Sequence, residues 1–293
     1  MILEIGTVSP SSTRQFPAVP LLRLEESIVM AGINDTDSEQ PANPSSTLHF
    51  QSLTPQAMQA FPFDFKKPNV VLFMGETESG KTMAIRFVVF LNQQYFDQIV
   101  IYSETSQYED ELQFTRYQME EYSPSSLEMI GNIQKERRKK HHGDVAKIPH
   151  ILIIFDDADR DYNRDVIVNR LITKHRHFRM SFIFSVQYYA MVSPRMRAQT
   201  RWLCLRPIRG KANIEAVWEY LSLFFEAGVR EFIIFIRTCL RDWTLAVFDI
   251  RSEQRLDQDV YMIQFNPELV AAPFSIEDKP ASAYEQAQKE SDE

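Results

Sequence analysis

Short apolar runs alternate with longer amphipathic stretches over residues 61–270 of this 293-residue chain. Runs of about five apolar residues predict buried strands, and apolar residues spaced three or four apart predict helices. The predicted strands cover residues 70–74, 99–103, 151–155, 182–186 and 202–205, and the predicted helices cover residues 81–93, 108–122, 125–140, 161–175 and 214–225. This alternation predicts an α/β domain with a central, mostly parallel sheet flanked by helices. Two further runs, 231–237 and 243–250, predict a C-terminal β-hairpin.

Two segments flank this domain and differ from it in composition. Residues 1–60 are rich in Pro, Ser, Thr, Gln and Asn, which predicts a disordered or irregular leader, and residues 271–293 predict an acidic flexible tail. Each segment holds 2 basic and 6 acidic residues of the 32 and 40 in the chain, so residues 61–270 hold 28 of each. The net charge of −8 therefore belongs to the ends and does not exclude a polyanionic partner of the domain.

Several protein classes are excluded by composition. A hydrophobic content of 44% is too high for a disordered chain, and two cysteines are too few for a disulfide scaffold or a cysteine zinc site. His141 and His142 lack partners at metal-ligand spacing. The longest apolar runs are five residues, whereas a membrane span needs about 20, and no signal-peptide pattern follows Met1. We therefore expect a soluble intracellular protein with no membrane partner.

A phosphate-binding motif lies between the first predicted strand and helix. The motif G-x-x-x-x-G-K-[ST] is matched by Gly75, Glu76, Thr77, Glu78, Ser79, Gly80, Lys81 and Thr82. In such a P-loop (Walker A motif), main-chain N–H groups and the helix N-terminus bind the phosphates. We expect Lys81 to contact the β- and γ-phosphates of ATP and Thr82 to bind Mg²⁺. Glu76 and Glu78 are unusual here, because they weaken nucleotide binding if they point inward and have little effect if they face solvent.

Polar residues also end two later predicted strands. Asp156 and Asp157 follow residues 151–155, as in a Walker B motif, where Asp156 would hold Mg²⁺ through water and Asp157 would orient or deprotonate the attacking water. The alternative is that these carboxylates cap the next helix. Gln187 follows residues 182–186, and a polar side chain on a strand adjacent to the P-loop can contact the γ-phosphate.

Residues 166–214 contain no Asp or Glu and ten basic residues. Three uses compete: an arginine that acts on the γ-phosphate of a neighbouring subunit, a groove or pore for a nucleic-acid backbone, or ion pairs with acids elsewhere. The basic residues are Arg170, Lys174, Arg176, Arg179, Arg195, Arg197, Arg201, Arg206, Arg209 and Lys211. A second basic run, Arg137, Arg138, Lys139 and Lys140, is typical of a solvated helix C-terminus, with nucleic-acid contact as the alternative.

Taken in order, these features resemble a known family. The P-loop, residues 96–103, the pair Asp156-Asp157, residues 175–189 and residues 193–197 follow one another as in the poxvirus-type genome-packaging ATPases of large double-stranded DNA viruses and virophages. That family belongs to the FtsK/HerA superfamily of DNA-pumping P-loop NTPases with a RecA/ASCE-like fold. The resemblance spans roughly residues 68–248, and the block from Arg176 to Arg197 is its most specific part.

The resemblance implies an ATPase that works as a hexameric or pentameric ring and drives duplex DNA into a preformed capsid. It implies ATP and Mg²⁺ as cofactors, Gln187 as the γ-phosphate sensor, and Arg176 as the arginine finger that acts in trans. Arg179 and Arg197 are alternative fingers, and Arg195 and Arg197 join residues 137–140 as candidate DNA contacts. It further implies a capsid portal or vertex partner, and a viral protein that acts in the host cytoplasm or virus factory, with association with the virion as an alternative.

Two other functions fit parts of the pattern. A P-loop kinase or nucleotide-dependent switch would use the same phosphate site on a small substrate or partner, although the sequence has no recognisable acceptor motif. A non-hydrolysing assembly protein would be consistent with the two acids in the P-loop. Size in the presence of an ATP analogue separates the first from a ring, and nucleotide-binding calorimetry tests the second.

Overall fold

The fold is built around one mixed sheet. The structure is a computed structural model and describes residues 51–52, 63–103, 119–120, 122–156, 162, 165–225, 228–251, 260–265 and 267. Within these residues, nine strands pair in the order β1-β9-β8-β7-β2-β6-β5-β3-β4. Their bounds are β1 Gln51–Ser52, β2 Val70–Met74, β3 Gln98–Ser103, β4 Met119–Glu120, β5 Ile151–Asp156, β6 Met180–Val186, β7 Trp202–Leu205, β8 Thr244–Asp249 and β9 Val260–Gln264. The strands β7, β2, β6, β5, β3 and β4 are parallel, and β8 is antiparallel to both of its neighbours. The mostly parallel sheet is therefore as predicted.

Helices cover both faces of this sheet. In the same residues they are α1 Lys81–Asn92, α2 Pro124–Lys140, α3 Val166–Phe178, α4 Pro194–Gln199, α5 Lys211–Leu221 and α6 Val229–Cys239. Alternate residues of β2 point to opposite faces, as the pleat requires. Val71 and Phe73 pack with α1 and Phe65 in one core, whereas Val70, Leu72 and Met74 pack in the other core, which α2, α3, α5 and α6 cover. Burial on both faces explains why the central strands are continuous apolar runs.

The prediction of a strand over residues 231–237 is wrong, because this segment lies within helix α6. Its buried residues are Phe232, Phe235 and Ile236, whereas Ile234 is 53% exposed. Spacings of three and four residues place the buried side chains on one face of a helix. A short apolar run does not distinguish the two kinds of element, and here the longer helical period decides. The C-terminal antiparallel pair exists, but β8 and β9 form it.

Other boundaries differ from the predictions. The predicted helix over residues 108–122 is wrong at Met119–Glu120, which form β4, while residues 108–118 and 121 lie outside the described residues. Helix α3 begins at Val166 rather than at residue 161, because Asp165 is its N-cap and accepts the Ile167 N–H at 2.5 Å. Strand β1 lies inside the predicted irregular leader and pairs with β9. Among the described helices, none is both long and apolar enough to cross a membrane.

Candidate nucleotide-binding site

Three parallel strands end side by side at one edge of the sheet, and the predicted site residues follow them. The P-loop follows β2, Gln187 follows β6, and Asp156 ends β5. Strand β6 pairs with β2 on one side and with β5 on the other. The predicted adjacency of Gln187 to the P-loop therefore follows directly from the strand order, and this edge is where parallel α/β sheets bind ligands.

Lys81 begins α1 and its side chain folds back under the P-loop. Its Nζ donates to the main-chain oxygens of Gly75, at 2.9 Å, and of Glu76, at 2.8 Å. The residue is only 6% exposed. The first turn of a helix leaves main-chain N–H groups without intrahelical partners. The start of α1 therefore brings these donors and the Lys81 ammonium group together, an arrangement that suits an anionic ligand.

Two glycines of the motif are required by close packing. A Cβ on Gly75 would lie 2.5 Å from Ser79 Oγ and 2.7 Å from Arg206 Cβ. Gly80 has a φ of 81°, which favours glycine, and a Cβ there would lie 2.8 Å from Trp243 Cζ3. The loop is therefore closely packed against Arg206 and Trp243. From the sequence, neither residue was predicted to lie at this site.

A hydroxyl and a carboxylate meet beside Lys81. Thr82 Oγ1 donates to Asp156 Oδ2 at 3.3 Å, and Asp156 is 3% exposed. Hard oxygen ligands of this kind are those that Mg²⁺ prefers, with the remaining positions filled by phosphate and water. The residues therefore fit a magnesium-bound triphosphate. Asp157, the second predicted acid, lies outside the described residues.

Gln187 contacts the P-loop directly. Thr77 Oγ1 donates to Gln187 Oε1 at 3.1 Å, and both residues are at least partly exposed at the mouth of the site. The main chain of Gln187 is fixed by Asn213 of α5, whose Nδ2 donates to the Gln187 carbonyl at 3.0 Å. Sequence reasoning missed Asn213, since nothing in its local sequence shows that α5 reaches this turn.

The two acids of the P-loop have different surroundings. Glu76 Oε2 lies 3.2 Å from Arg209 Nε, so its charge is offset by an ion pair. Glu78 is exposed and has a φ of 61°. Solvent screens the charge of an exposed carboxylate. The acids that prompted a non-hydrolysing interpretation are therefore compensated or solvated.

Arg206 connects the P-loop to the turn that precedes β8. Its guanidinium donates to the carbonyls of Ser79, at 2.7 Å, Asp242, at 2.6 Å, and Thr244. Burial lowers the pKa of Arg206 to about 10, and the charge of Asp242 opposes that shift. The side chain therefore stays protonated at neutral pH. A sequence signal existed for it, because Arg206 directly follows β7 just as Gln187 follows β6.

Two of the candidate arginine fingers, Arg176 and Arg179, lie near the start of β6, at the end of the sheet opposite to the P-loop of their own chain. Arg176 is exposed in the last turn of α3, next to the start of β6 and at the opposite edge of the sheet. Arg179 is held by the carbonyls of Ala146 and, at 2.7 Å, Ile148. The Arg197 guanidinium lies 5.4 Å from the centroid of the Tyr189 ring. Arg197 therefore lies against the turn that follows Gln187.

The basic run at the end of α2 is also distant from the P-loop. Gln134 of α2 donates to the carbonyls of Pro149 and Phe178, both at 2.8 Å, which precede β5 and β6. Lys139 pairs with Glu136 at 2.7 Å, and Arg137 Nη1 donates to Gln134 Oε1. Arg138 is half-buried, while Lys140 and, on α4, Arg195 are exposed. Part of this run therefore has local partners, and its nucleic-acid role stays a prediction.

Comparison with solved structures returns packaging and transfer NTPases at low sequence identity. The genome packaging NTPase B204 of Sulfolobus turreted icosahedral virus 2, in complex with ATPγS, is 16% identical over 68% of this chain and 98% of B204, with a TM-score of 0.48. The pCW3 conjugation coupling protein TcpA with ATPγS is 14% identical over 71% of this chain and 65% of TcpA, with a TM-score of 0.46. Comparison with curated protein sequences gives no significant match.

A family model for the poxvirus A32 protein matches residues 64–242. The match begins at the residues that precede β2 and ends just before Trp243, so it contains the P-loop, Asp156 and Gln187. It also contains the block from Arg176 to Arg197, which is the most specific part of the resemblance in the sequence. Because this match spans more than half of the chain, the chain belongs to the poxvirus A32 protein family of packaging ATPases.

Proposed function

We propose that this ATPase uses ATP hydrolysis to move double-stranded DNA and so packages a viral genome into a preformed capsid. One observation carries the proposal: Lys81, Thr82 and Asp156 converge at the edge of the sheet where Gln187 contacts the P-loop. Family membership supports packaging as the use of that site. The product of the reaction is ADP with inorganic phosphate, since water is the acceptor.

Each residue of the site has a proposed role. Lys81 and the N–H groups at the start of α1 bind the β- and γ-phosphates, and Thr82 with Asp156 hold Mg²⁺. When bound, Mg²⁺ neutralises charge that develops on the phosphate oxygens. Asp157 orients the attacking water, and Gln187 reports whether the γ-phosphate is present. Gln187 contacts both Thr77 and Asn213, so a movement of Gln187 on loss of that phosphate would change its contacts with the P-loop and with α5.

We propose that the active unit is a ring of five or six subunits in which Arg176 completes the site of its neighbour. Arg176 is exposed at the edge opposite its own P-loop, whereas Arg179 is engaged by two main-chain carbonyls. An arginine supplied in trans stabilises negative charge in the transition state of phosphoryl transfer. This arrangement makes hydrolysis depend on assembly, which a sequential motor needs.

The partners follow from the same proposal. Exposed cations such as Lys140 and Arg195 would contact the DNA backbone, and a capsid portal or vertex protein would receive the DNA. The protein would act in the cytoplasm or virus factory of the host cell. The acidic ends of the chain carry the net charge, so they would repel DNA rather than bind it.

The test is the dependence of ATP turnover on DNA. Turnover of the wild type should rise when duplex DNA is added, and the stimulation should fall steeply with salt because DNA contacts release counterions. Lys81→Ala should be inactive with and without DNA, whereas Lys66→Ala, which removes an exposed lysine outside the motif, should behave as the wild type. Equal turnover with and without duplex across the salt series would rule out a DNA motor.

A P-loop kinase or switch makes a different prediction about size. Kinases of this kind work as monomers or dimers, whereas a packaging ring assembles further when nucleotide bridges its subunits. Light scattering of the full chain with and without ATPγS distinguishes the two. A multimer of five or six subunits supports the ring, and a species that stays monomeric or dimeric favours the alternative.

A further inference from the structure

Trp243 lies against the P-loop on the side away from Asp156. Its Cζ3 atom would be 2.8 Å from a Cβ on Gly80, so the edge of the indole touches the turn that leads into α1. The residue is nevertheless 39% exposed. An aromatic ring that is in contact with a phosphate-binding loop and still open to solvent has a free surface on which a planar ligand can stack.

The main chain on both sides of Trp243 is fixed by one side chain. Arg206 donates to the carbonyl of Asp242, at 2.6 Å, and to that of Thr244, and the same guanidinium donates to the Ser79 carbonyl of the P-loop at 2.7 Å. Its carbon Cζ also lies 5.9 Å from the centre of the Trp243 ring. Arg206 therefore sets the position of the indole relative to the loop.

Phe265, the residue that directly follows β9, also contacts the ring. The Phe265 N–H donates to the Trp243 carbonyl at 3.0 Å, and the Phe265 ring meets the indole at a centroid distance of 5.6 Å and an interplanar angle of 63°. Phe265 and the Arg206 guanidinium therefore hold the ring in place, while 39% of the residue stays exposed.

The strand order shows which end of a nucleotide reaches this ring. Asp156 and Gln187 follow β5 and β6, which lie on one side of β2, and they define the terminal-phosphate end of the site. Trp243 precedes β8, which lies on the other side of β2 beyond β7. A triphosphate bound along the P-loop with its γ end toward Asp156 must send its ribose and base toward β7 and β8.

We propose that the exposed part of the Trp243 indole stacks on the nucleobase of the bound nucleotide, with Arg206 as its positioning residue. The inference rests on the proposed nucleotide site and names its base-binding part. Every base offers a π-face, so this contact gives affinity with little discrimination between purine nucleotides. Loss of one base–aromatic stack weakens binding by roughly 10- to 100-fold.

The test compares two probes that differ in whether they carry a base. Binding of ATPγS and of inorganic tripolyphosphate is measured by calorimetry on the full chain as wild type, Trp243→Ala and Trp243→Phe. Trp243→Ala should weaken ATPγS about 10- to 100-fold and leave tripolyphosphate within about twofold, while Trp243→Phe retains most of the ATPγS affinity. Unchanged tripolyphosphate binding also shows that the variant is folded.

Two outcomes would overturn the proposal. An equal loss for both probes would mean that Trp243 only supports the P-loop, and no loss for either would mean that the base binds elsewhere. Tryptophan fluorescence of the wild type gives a second readout that needs no destabilising variant. ATPγS but not tripolyphosphate should change the emission, and Trp243→Phe, which keeps Trp202 and Trp218, should not respond.

Failure of the proposed function would look different. If both probes bind the wild type but duplex DNA does not stimulate turnover, the DNA motor fails while the base-binding residue stands. If DNA stimulates turnover but Trp243→Ala binds ATPγS normally, the motor stands and the base-binding residue fails.

Discussion

The side-chain amide of Asn213 closes the turn that carries Gln187. Asn213 Nδ2 donates to the Gln187 carbonyl at 3.0 Å, and Asn213 Oδ1 accepts the Tyr189 N–H at 3.1 Å. Asn213 belongs to the first turn of α5, so the position of the proposed sensor is set by a helix as well as by its own loop. Asn213 is therefore a positioning residue for Gln187.

Replacing Asn213 should reduce the rate of hydrolysis more than nucleotide affinity. Asn213→Ala removes both contacts and lets Gln187 move, and a small misplacement at a reacting group lowers kcat by roughly 10- to 100-fold. The Michaelis constant should change little, because the P-loop supplies most of the binding. Asn213→Asp keeps the acceptor for the Tyr189 N–H but not the donor to the Gln187 carbonyl. Its kcat should therefore lie between those of the wild type and Asn213→Ala. A higher KM with normal kcat in steady-state turnover would contradict this role.

The ion pair between Glu76 and Arg209 should support nucleotide binding. Arg209→Ala leaves the Glu76 carboxylate uncompensated beside the phosphates, and we expect ATPγS to bind about fivefold more weakly in calorimetry. The effect is modest because the Arg209 side chain is 89% exposed. Adding Glu76→Gln to Arg209→Ala should restore the affinity, since no negative charge then remains at that position.

Lys211 provides a matched control for Arg209. Its side chain is 90% exposed and pairs with Glu215 at 3.8 Å, so Lys211→Ala removes the same charge two residues further on, at the start of α5, without touching the P-loop. If Arg209→Ala and Lys211→Ala weaken ATPγS equally, the general positive charge of this region is responsible and the specific ion pair is not.

Substitutions of Arg176 and Arg179 should differ in their effects on stability and on ATP turnover. Arg179→Ala removes donors from the carbonyls of Ala146 and Ile148, so we expect the unfolding free energy to fall by about 1–3 kcal/mol. Arg176→Ala removes an exposed side chain and should change stability by less than about 0.5 kcal/mol, but it should abolish turnover if Arg176 acts in trans. Thermal unfolding and turnover measure the two effects.

Mixed rings test the trans action itself. Arg176→Ala subunits and Lys81→Ala subunits are each inactive alone, but a mixed ring contains interfaces with an intact P-loop and an intact Arg176. Activity should therefore return on mixing. Mixed subunits that assemble and stay inactive would show that Arg176 is not the finger.

Two buried histidines should make the fold sensitive to acid. His150 and His175 are 1% and 2% exposed, and burial is the main cause that lowers each pKa to about 4. For His150 the charge of Arg179 adds to this effect and that of Asp97 opposes it. Between about pH 6.5 and 4 the unfolded rings bind protons that the native rings do not, so stability falls as the pH is lowered through this window.

Urea unfolding at several pH values measures this loss, which is up to about 3 kcal/mol for each histidine. His150→Gln should flatten the dependence, whereas His142→Gln, which changes an exposed histidine, should leave it as in the wild type. The same slope in both variants would show that the buried rings are not its cause.

The fold and part of the site follow from local sequence, and the rest depends on long-range contacts. Runs such as Val70–Met74 and the glycine pattern after them predict a buried strand, a phosphate loop and a helix in order. Gln187 could be placed because strand order in such folds is restricted. Helix α6 could not be predicted, because an apolar run of five residues is too short to distinguish the helical period from that of a strand.

The roles of Asn213, Arg209, Arg206 and Trp243 were missed for a different reason. Each acts through a contact with a main-chain atom or a side chain far away in sequence, so no local pattern marks it. Arg206 is the partial exception, because a charged residue that directly follows a buried strand at this edge points to the site. Trp243 was predicted as the first residue of the strand over residues 243–250, whereas it lies in the turn that precedes β8.

A crystal structure of the full chain with ATPγS and Mn²⁺ tests most directly whether Lys81, Thr82 and Asp156 hold one metal-bound triphosphate. Manganese accepts the same oxygen ligands as magnesium and is located by its anomalous signal. We predict a single manganese peak between the Thr82 hydroxyl and the Asp156 carboxylate, with the terminal phosphate beside Lys81. A peak away from both residues, or a nucleotide bound outside the P-loop, would contradict the account.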